Sequence, residues 1–325
     1  MQLVVTGSIA TDHLMTFPGR FTDSLVSDQL ESISLSFLVD ELDVRRGGVA
    51  ANICFALGSL GASPALVGAV GQDFADYRSW LERHGVDTDH VHVSETRHTS
   101  RFLCTTDTDQ NQIASFYAGA MSEAREIELG PVAERLGNVD LVVVAPNDPV
   151  AMVRHTQECR ERGIRFAADP SQQLARMDGS DVRQLVTGAA YLFTNNYETQ
   201  LLLKSTGWTQ QEVLDQVGCW VMTQGADGVR IETSDGEPVS VPAVAVKDVA
   251  DPTGVGDAFR AGFLWGVHRD LTVERAAQVG CALAAVVLES VGTQEYELES
   301  TEFAGRIARV YGDAAAAEIE PKLAR

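Results

Sequence analysis

The chain has 325 residues, a hydrophobic share of 45% and a formal net charge of −21. That length and apolar content suffice for one large α/β domain, and no run approaches the roughly 20 apolar residues that span a bilayer. A field this negative repels phosphate backbones and anionic lipid surfaces, which excludes nucleic-acid and membrane partners but leaves a nucleotide substrate open, since a local site can oppose the global field.

Short apolar runs alternate with amphipathic stretches, the pattern of a doubly wound parallel sheet with helices on both faces. A buried first strand falls at 3–6. A helix begins near Val49 and leads into a strand at 65–70; another strand at 141–145 precedes a helix opening after Pro149. Strands follow at 166–169, 191–195 and 220–224, each ended by turn residues or a helix. From Gly254 to about Ser290 the sequence reads as two helices joined around Asp270, and the alanine run at 314–317 as a terminal helix. Two segments break the pattern. Residues 34–39 alternate strictly, as does much of 101–117, so both read as antiparallel strands with one polar face. The expectation is a single domain over 1–325 with a small antiparallel lid drawn from about 13–46 and 99–118; two ordinary edge hairpins are the plain alternative.

Cys54, Cys104, Cys159, Cys219 and Cys281 are scattered, odd in number and without a CxxC pair. Neither a disulfide framework nor a zinc site is suggested, and small buried hydrophobes in a reducing compartment are expected. The start, MQLVVTGSIATDH, has no basic segment followed by a cleavage site. An unprocessed cytoplasmic protein is the expectation.

The segment carrying most chemistry is Asp251-Pro252-Thr253-Gly254-Val255-Gly256-Asp257. Two glycines one residue apart, then a small-residue helix, let backbone N–H groups and the positive helix end crowd toward an anion. A carboxylate there would repel a bound phosphate, unless Asp257 faces an attacking hydroxyl and takes its proton while the amides of Gly254, Val255 and Gly256 hold the charge. The structural alternative is a plain helix N-cap. A second glycine turn, Gly47-Gly48, opens a helix with Asn52 one turn inside, on an otherwise apolar stripe. Asn52 is therefore aimed at something polar, a ligand or a buried partner.

Together Gly47-Gly48-x3-Asn52 and Asp251-x-Thr253-Gly254-x-Gly256-Asp257 resemble the two signature motifs of the PfkB, or ribokinase-like, carbohydrate kinases. Gly7 with Asp12, Gly68-x2-Gly71-x-Asp73 and Asn195-x2-Glu198 extend the resemblance over nearly the whole chain. It implies that Asp12 holds two ribose hydroxyls, that Gly48 and Asn52 contact the same sugar, and that Asp257 is the catalytic base of an anion hole. It also implies that Asn195 and Glu198 order Mg²⁺ and its waters near the phosphates of ATP. The segment Thr223-Gln224-Gly225-Ala226-Asp227-Gly228, together with Asn195 and Gly256, would line the ATP site. Activation by K⁺ is common in the family, without ligands that can be assigned here. Pro252 departs from the pattern by lacking an N–H, though it stiffens the turn before the glycines.

For the acceptor, a nucleoside needs aromatic faces for its base. Phe102 and Phe116 lie on one lid segment and Phe37 on the other; filling a lid–core or subunit interface is the competing account. The segments around Asp12, Ser36 and Gln172 resemble those of the bacterial ribokinase-like adenosine kinases. That resemblance implies a ribose side lined by Ser8, Asp12, Ser36, Gly48 and Asn52, adenine stacked on Phe102 and Phe116, further contacts from Gln172 and Gln173, and Arg176 near the transferred phosphate. A solvated turn is the alternative for the two glutamines. The reading is therefore an adenosine kinase acting as a homodimer through its lid. Another sugar or nucleoside kinase (ribose, fructose, inosine or guanosine) is the nearest alternative. A non-catalytic sensor and a dinucleotide-dependent oxidoreductase are more distant ones; the latter lacks its three-glycine fingerprint after the first strand.

Overall fold

A computed structural model describes residues 2–24 and 36–323. The first apolar run forms β1 (Leu3–Thr6), buried on both faces, as a strand covered by helices must be. The chain then forms β2 (Ala10–Thr16), a short α1 (Phe21–Ser24) and β3 (Glu41–Gly47). Next come α2 (Val49–Ser59), β4 (Ala65–Val70), α3 (Ala75–Arg83) and β5 (Val91–Val93). A hairpin, β6 (Ser100–Thr106) and β7 (Gln112–Tyr117), precedes α4 (Leu129–Leu136).

Strands and helices then alternate: β8 (Leu141–Val144), α5 (Pro149–Arg162), β9 (Phe166–Ala168), α6 (Gly179–Val186), β10 (Tyr191–Asn195). They continue through α7 (Asn196–Thr206), α8 (Gln210–Leu214), β11 (Trp220–Thr223), β12 (Val229–Glu232) and β13 (Val239–Val241). The chain closes with α9 (Val255–His268), α10 (Val273–Leu288), α11 (Ser300–Tyr311) and α12 (Asp313–Leu323).

The main sheet has the order β13-β12-β11-β10-β9-β8-β1-β4-β5. It is parallel from β5 to β11, and β12 and β13 add an antiparallel edge. Strand alternation divides the core into two layers. Leu3 and Val5 pack with α2, α9 and α10, whereas Val4 packs with the side of α5, α6 and α7. All five cysteines are buried and unpaired. Among the described residues no helix is long and apolar enough to cross a membrane.

The small sheet has the order β3-β2-β6-β7, antiparallel at its two outer pairings and parallel at the central one. One expected strand is misplaced. Residues 36–39 form no ladder, 34 and 35 lie outside the described residues, and the strand role passes to β3. The reason is pairing: residues 41–47 match β2 partner for partner, whereas alternation in a stretch with no neighbouring strand has nothing to bond to.

Candidate active site

The carboxyl ends of parallel strands are where an open α/β sheet leaves a crevice, and α9 begins there. Gly254 caps α9 in the left-handed region, φ 74°, so glycine is required at that position. The first intrahelical bond runs from Ala258 N to Gly254 O at 2.9 Å. By position, the N–H groups of Gly254, Val255, Gly256 and Asp257 therefore have no acceptor within the helix, which is the donor set an anion needs. The turn before them is braced: the Asp251 carboxylate accepts from Thr253 N at 2.9 Å, from Gly292 N at 3.2 Å and from Arg45 at 3.2 Å. Pro252 lies outside the set of four free N–H groups at the start of α9.

Asp257 faces a cleft of about 600 Å³, a size suited to a small metabolite. Withdrawal from water raises its pKa to about 6, opposed by the charge of Arg260 and by a hydrogen bond from Asn52 Nδ2 at 2.8 Å. A carboxyl with a pKa near neutrality is suited to accept a proton. Asn52 thus has a polar partner inside the protein as well as a place in the cleft wall.

The lid supplies the other wall through a single cross-strand row. Arg45, Asp12, Phe102 and Phe116 sit side by side on β3, β2, β6 and β7 and so point to one face. Asp12, Phe102 and Phe116 all line the cleft. Burial raises the Asp12 pKa to about 6, against the opposing charge of Arg45. The opposite face carries Leu42, Val44 and Ile113, which are 58%, 52% and 47% exposed. Asp73 anchors the root of β6 by accepting from Thr99 N at 2.9 Å and from Arg101 at 2.6 Å.

The remaining positions divide. Ser8 and Gly48 line the cleft, and Ser8 Oγ accepts from Val49 N at 3.0 Å, starting α2. Gly48 has φ 93°, and a Cβ there would lie 2.6 Å from Ala10 N. Gln172, Gln173 and Arg176 border the same cleft on a 3₁₀ turn, with Gln173 buried and Gln172 exposed. Ser36 is not brought to the cleft: it is exposed in the irregular stretch before β3, where no strand pairing carries it inward.

Asn195 and Thr223 are paired residues at the carboxyl ends of β10 and β11, and Gln224, Gly225, Ala226, Asp227 and Gly228 form the following turn. None of them lines the Asp12 cleft. Asn195 and Glu198 form a capping box: Asn195 Oδ1 accepts from Glu198 N, and Glu198 Oε2 accepts from Asn195 N, both at 2.8 Å. This leaves Glu198 Oε1 free on a buried side chain whose carboxyl pKa burial raises. Among the described residues no group of three His, Cys, Asp or Glu side chains could hold a metal by itself. A single carboxylate oxygen left without a hydrogen-bond partner fits Mg²⁺ that arrives with nucleotide phosphates and keeps its waters.

Three residues escaped the sequence reading. Arg260 is buried in α9, 2.7 Å from Asp169, and Thr293 and Gln294 bond Asn52. A charge three residues past Asp257, inside an otherwise apolar helix, was a signal for Arg260, because a buried charge needs a partner. Thr293 and Gln294 lie in an irregular loop with no periodicity to reveal them.

A crevice at the parallel strand ends, with a glycine–aspartate helix start as floor and a carboxylate with two rings as roof, defines a small-molecule phosphotransferase. The pfkB family carbohydrate kinase pattern matches residues 8–300, and the chain belongs to that family. It is 28% identical to a nucleoside kinase of Methanocaldococcus jannaschii over 250 residues, 76% of this chain and 80% of that one. It is 27% identical to the ribokinase of Mus musculus over 307 residues, 90% of each chain. The structure of a Burkholderia thailandensis nucleoside kinase in complex with ADP-inosine superposes with a TM-score of 0.81 at 34% identity, covering 95% of this chain and 96% of that one. The protein is accordingly an ATP-dependent kinase of the nucleoside and sugar type, and the fold expected from sequence is the fold observed.

Proposed function

We propose that the chain is a purine nucleoside kinase, transferring the γ-phosphoryl of ATP to the 5′-hydroxyl of adenosine and of inosine. The carrying observation is the cross-strand row: one carboxylate, Asp12, followed on the next two strands by Phe102 and Phe116. A carboxylate accepts hydrogen bonds from two sugar hydroxyls, and rings one and two strands away offer a flat apolar surface to a base. A free sugar has no planar base to lie against the two rings. Gln172 and Gln173 supply the polar edge of that slot. A side-chain amide carries both donor and acceptor and turns over to suit either, so these two do not separate an amino from an oxo purine. The expectation of adenosine alone widens to both.

In the reaction the 5′-hydroxyl gives its proton to Asp257, and its oxygen forms a bond to the γ-phosphorus. The bond from that phosphorus to the bridging oxygen breaks, and ADP leaves with the electron pair. The N–H groups of Gly254, Val255 and Gly256 hold the equatorial charge, and Arg176 approaches the transferred group from the opposite wall. Glu198 and Asn195 would order Mg²⁺ and its waters, which would neutralise charge at the phosphates. Residues 13–46 and 99–118 close as a lid on a domain spanning 1–325, expelling water from the acceptor. The exposed apolar lid face at Leu42, Val44 and Ile113 is covered by a second copy of the chain, giving a homodimer. Sedimentation velocity on wild type and Val44→Glu tests this, and a monomeric wild type at micromolar concentration removes the dimer.

The deciding experiment is ADP release with ATP and Mg²⁺ over adenosine, inosine, guanosine, ribose and fructose. Turnover on both adenosine and inosine supports the reading. Turnover confined to a free sugar sinks the aromatic slot while keeping the kinase.

A further inference from the structure

The Asn52 amide is gripped at both ends. Its Nδ2 donates to Asp257 Oδ2 at 2.8 Å, while its Oδ1 accepts from Thr293 Oγ1 and from Gln294 Nε2, each at 2.9 Å. The second Gln294 hydrogen goes to Tyr77 Oη at 2.6 Å, and Tyr77 Oη donates to Gly47 O at 2.9 Å. Thr293 Oγ1 also lies 3.0 Å from Arg46 O. A hydroxyl has one hydrogen, so Arg46 O and Asn52 Oδ1 share it. Asn52, Tyr77, Thr293 and Gln294 are all buried, at 7%, 5%, 6% and 1% exposure.

The donors fix which way the amide points. Gln294 donates to Tyr77, which in turn donates to Gly47, so the Gln294 NH₂ faces Asn52 and only the oxygen of Asn52 can meet it. The Asn52 N–H is then forced toward Asp257. The reversed amide would set an oxygen against the Asp257 carboxylate, an arrangement open only to the protonated, inactive acid. Arg46 and Gly47 are the last residues of β3, so the same bonds reach the root of the lid.

We propose that Thr293 and Gln294 are positioning residues for phosphoryl transfer, locking the Asn52 amide so that its N–H holds the Asp257 carboxylate in its ionised, cleft-facing state. The inference rests on the reading of Asp257 as the base. Toward the Asp257 carboxylate these bonds act through Asn52, while those to Arg46 O and Tyr77 Oη hold the end of β3. The other groups whose charge reaches Asp257 are Arg260 on its own helix, Asp169 after β9, Glu198 on α7 and Tyr296, and the variants below leave them in place.

The test uses full-length Thr293→Val/Gln294→Leu, with the milder Thr293→Val alone in case the double variant does not fold. In the double variant kcat falls about tenfold or more while nucleoside KM stays within about twofold, the range expected for misplacing a base. The acidic limb of the kcat/KM profile moves up by about half to one pH unit as a stabilising donor is lost. Thr293→Ser restores most of the Thr293→Val loss. On an Asn52→Ala background the Thr293 and Gln294 changes add nothing further, since the group they act through is gone. The Asp257 carboxyl is also titrated directly by carbon NMR of labelled aspartate, assigned with Asp257→Asn, and it shifts upward in the double variant. Unchanged titration and pH profile with only a lower melting temperature would overturn the proposal and leave these residues a packing role. If wild type transfers no phosphoryl group yet the carboxyl still shifts, the positioning network stands and the kinase role of Asp257 fails.

Discussion

Arg260 and Asp169 form an ion pair inside the protein, with Nε 2.7 Å from Oδ2 and Nη2 2.7 Å from Oδ1. Nη2 also donates to Ser171 Oγ at 2.9 Å, and Ser171 Oγ donates to Asp169 at 2.8 Å. The guanidinium lies against the first turn of α9, since a Cβ on Gly256 would come 2.7 Å from Nη1. One cation thus anchors the turn that carries Gln172 and Gln173 and places a fixed positive charge behind the free amides at the start of α9.

Removing that cation strands a buried carboxylate. Arg260→Met therefore lowers stability by about 3–5 kcal/mol, and Asp169→Asn in the same chain returns part of it. Urea unfolding midpoints measure both. Equal midpoints for wild type and Arg260→Met would show that the pair carries no structural weight.

The acid limb of activity follows from two carboxyls. Asp257 and Asp12 both have pKa values raised to about 6, chiefly by burial. In the proposed reaction each works ionised, Asp257 taking a proton and Asp12 accepting hydroxyl hydrogens. Hence kcat/KM is level above about pH 7 and falls as pH drops through 6, with a limiting logarithmic slope of about two. Asp12→Asn lowers kcat/KM but reduces that slope to about one. A wild-type profile flat to pH 5 would refute both assignments.

The same displacement has the opposite sign for stability. A folded-state pKa above the unfolded value means the native state binds the proton more tightly, so the group's stabilising contribution is full below the unfolded pKa and is lost as pH rises through about 6. At pH 8 the fold therefore carries the full cost of a desolvated carboxylate. Asp257→Asn melts higher than wild type at pH 8, the difference shrinking toward pH 5, while kcat falls by about 10²–10⁴. Calorimetry at both pH values reads the first, and ADP release the second.

Phe102→Ala and Phe116→Ala each raise nucleoside KM about tenfold, the loss expected for one base-stacking surface, and leave the KM of ATP unchanged. No change for either substrate would assign the rings to packing.

Much of this was readable in the chain because parallel strands and glycine turns leave local marks. The runs at 65–70 and 191–195 match β4 and β10 to the residue, and the helix pair around Asp270 is α9 and α10. The glycine–aspartate loop did open a helix, as Gly254 and Asp257 announced. Alternation misled at 36–39 because it reports which side chains share a face, not whether a partner strand lies alongside. The partners of Asp257 were illegible for a related reason. Asn52 and Thr293 are 241 positions apart in sequence, and no local pattern encodes a contact made only when the finished fold brings α2 and the loop after α10 together.

The row of Asp12, Phe102 and Phe116 has a consequence for how specificity can change. Neighbouring strands sit about 4.8 Å apart, so the row is a ruler with the Asp12 carboxylate fixed at β2 and marks at one and two strand spacings, about 5 and 10 Å along. Exchanging a side chain at either mark alters what is gripped there without moving the scale. Inserting a single residue early in β6 would instead turn Phe102 to the outer face and bring its neighbour inward. Such a kinase can drift among acceptors by point substitution, whereas a one-residue insertion in a lid strand would erase the scale altogether.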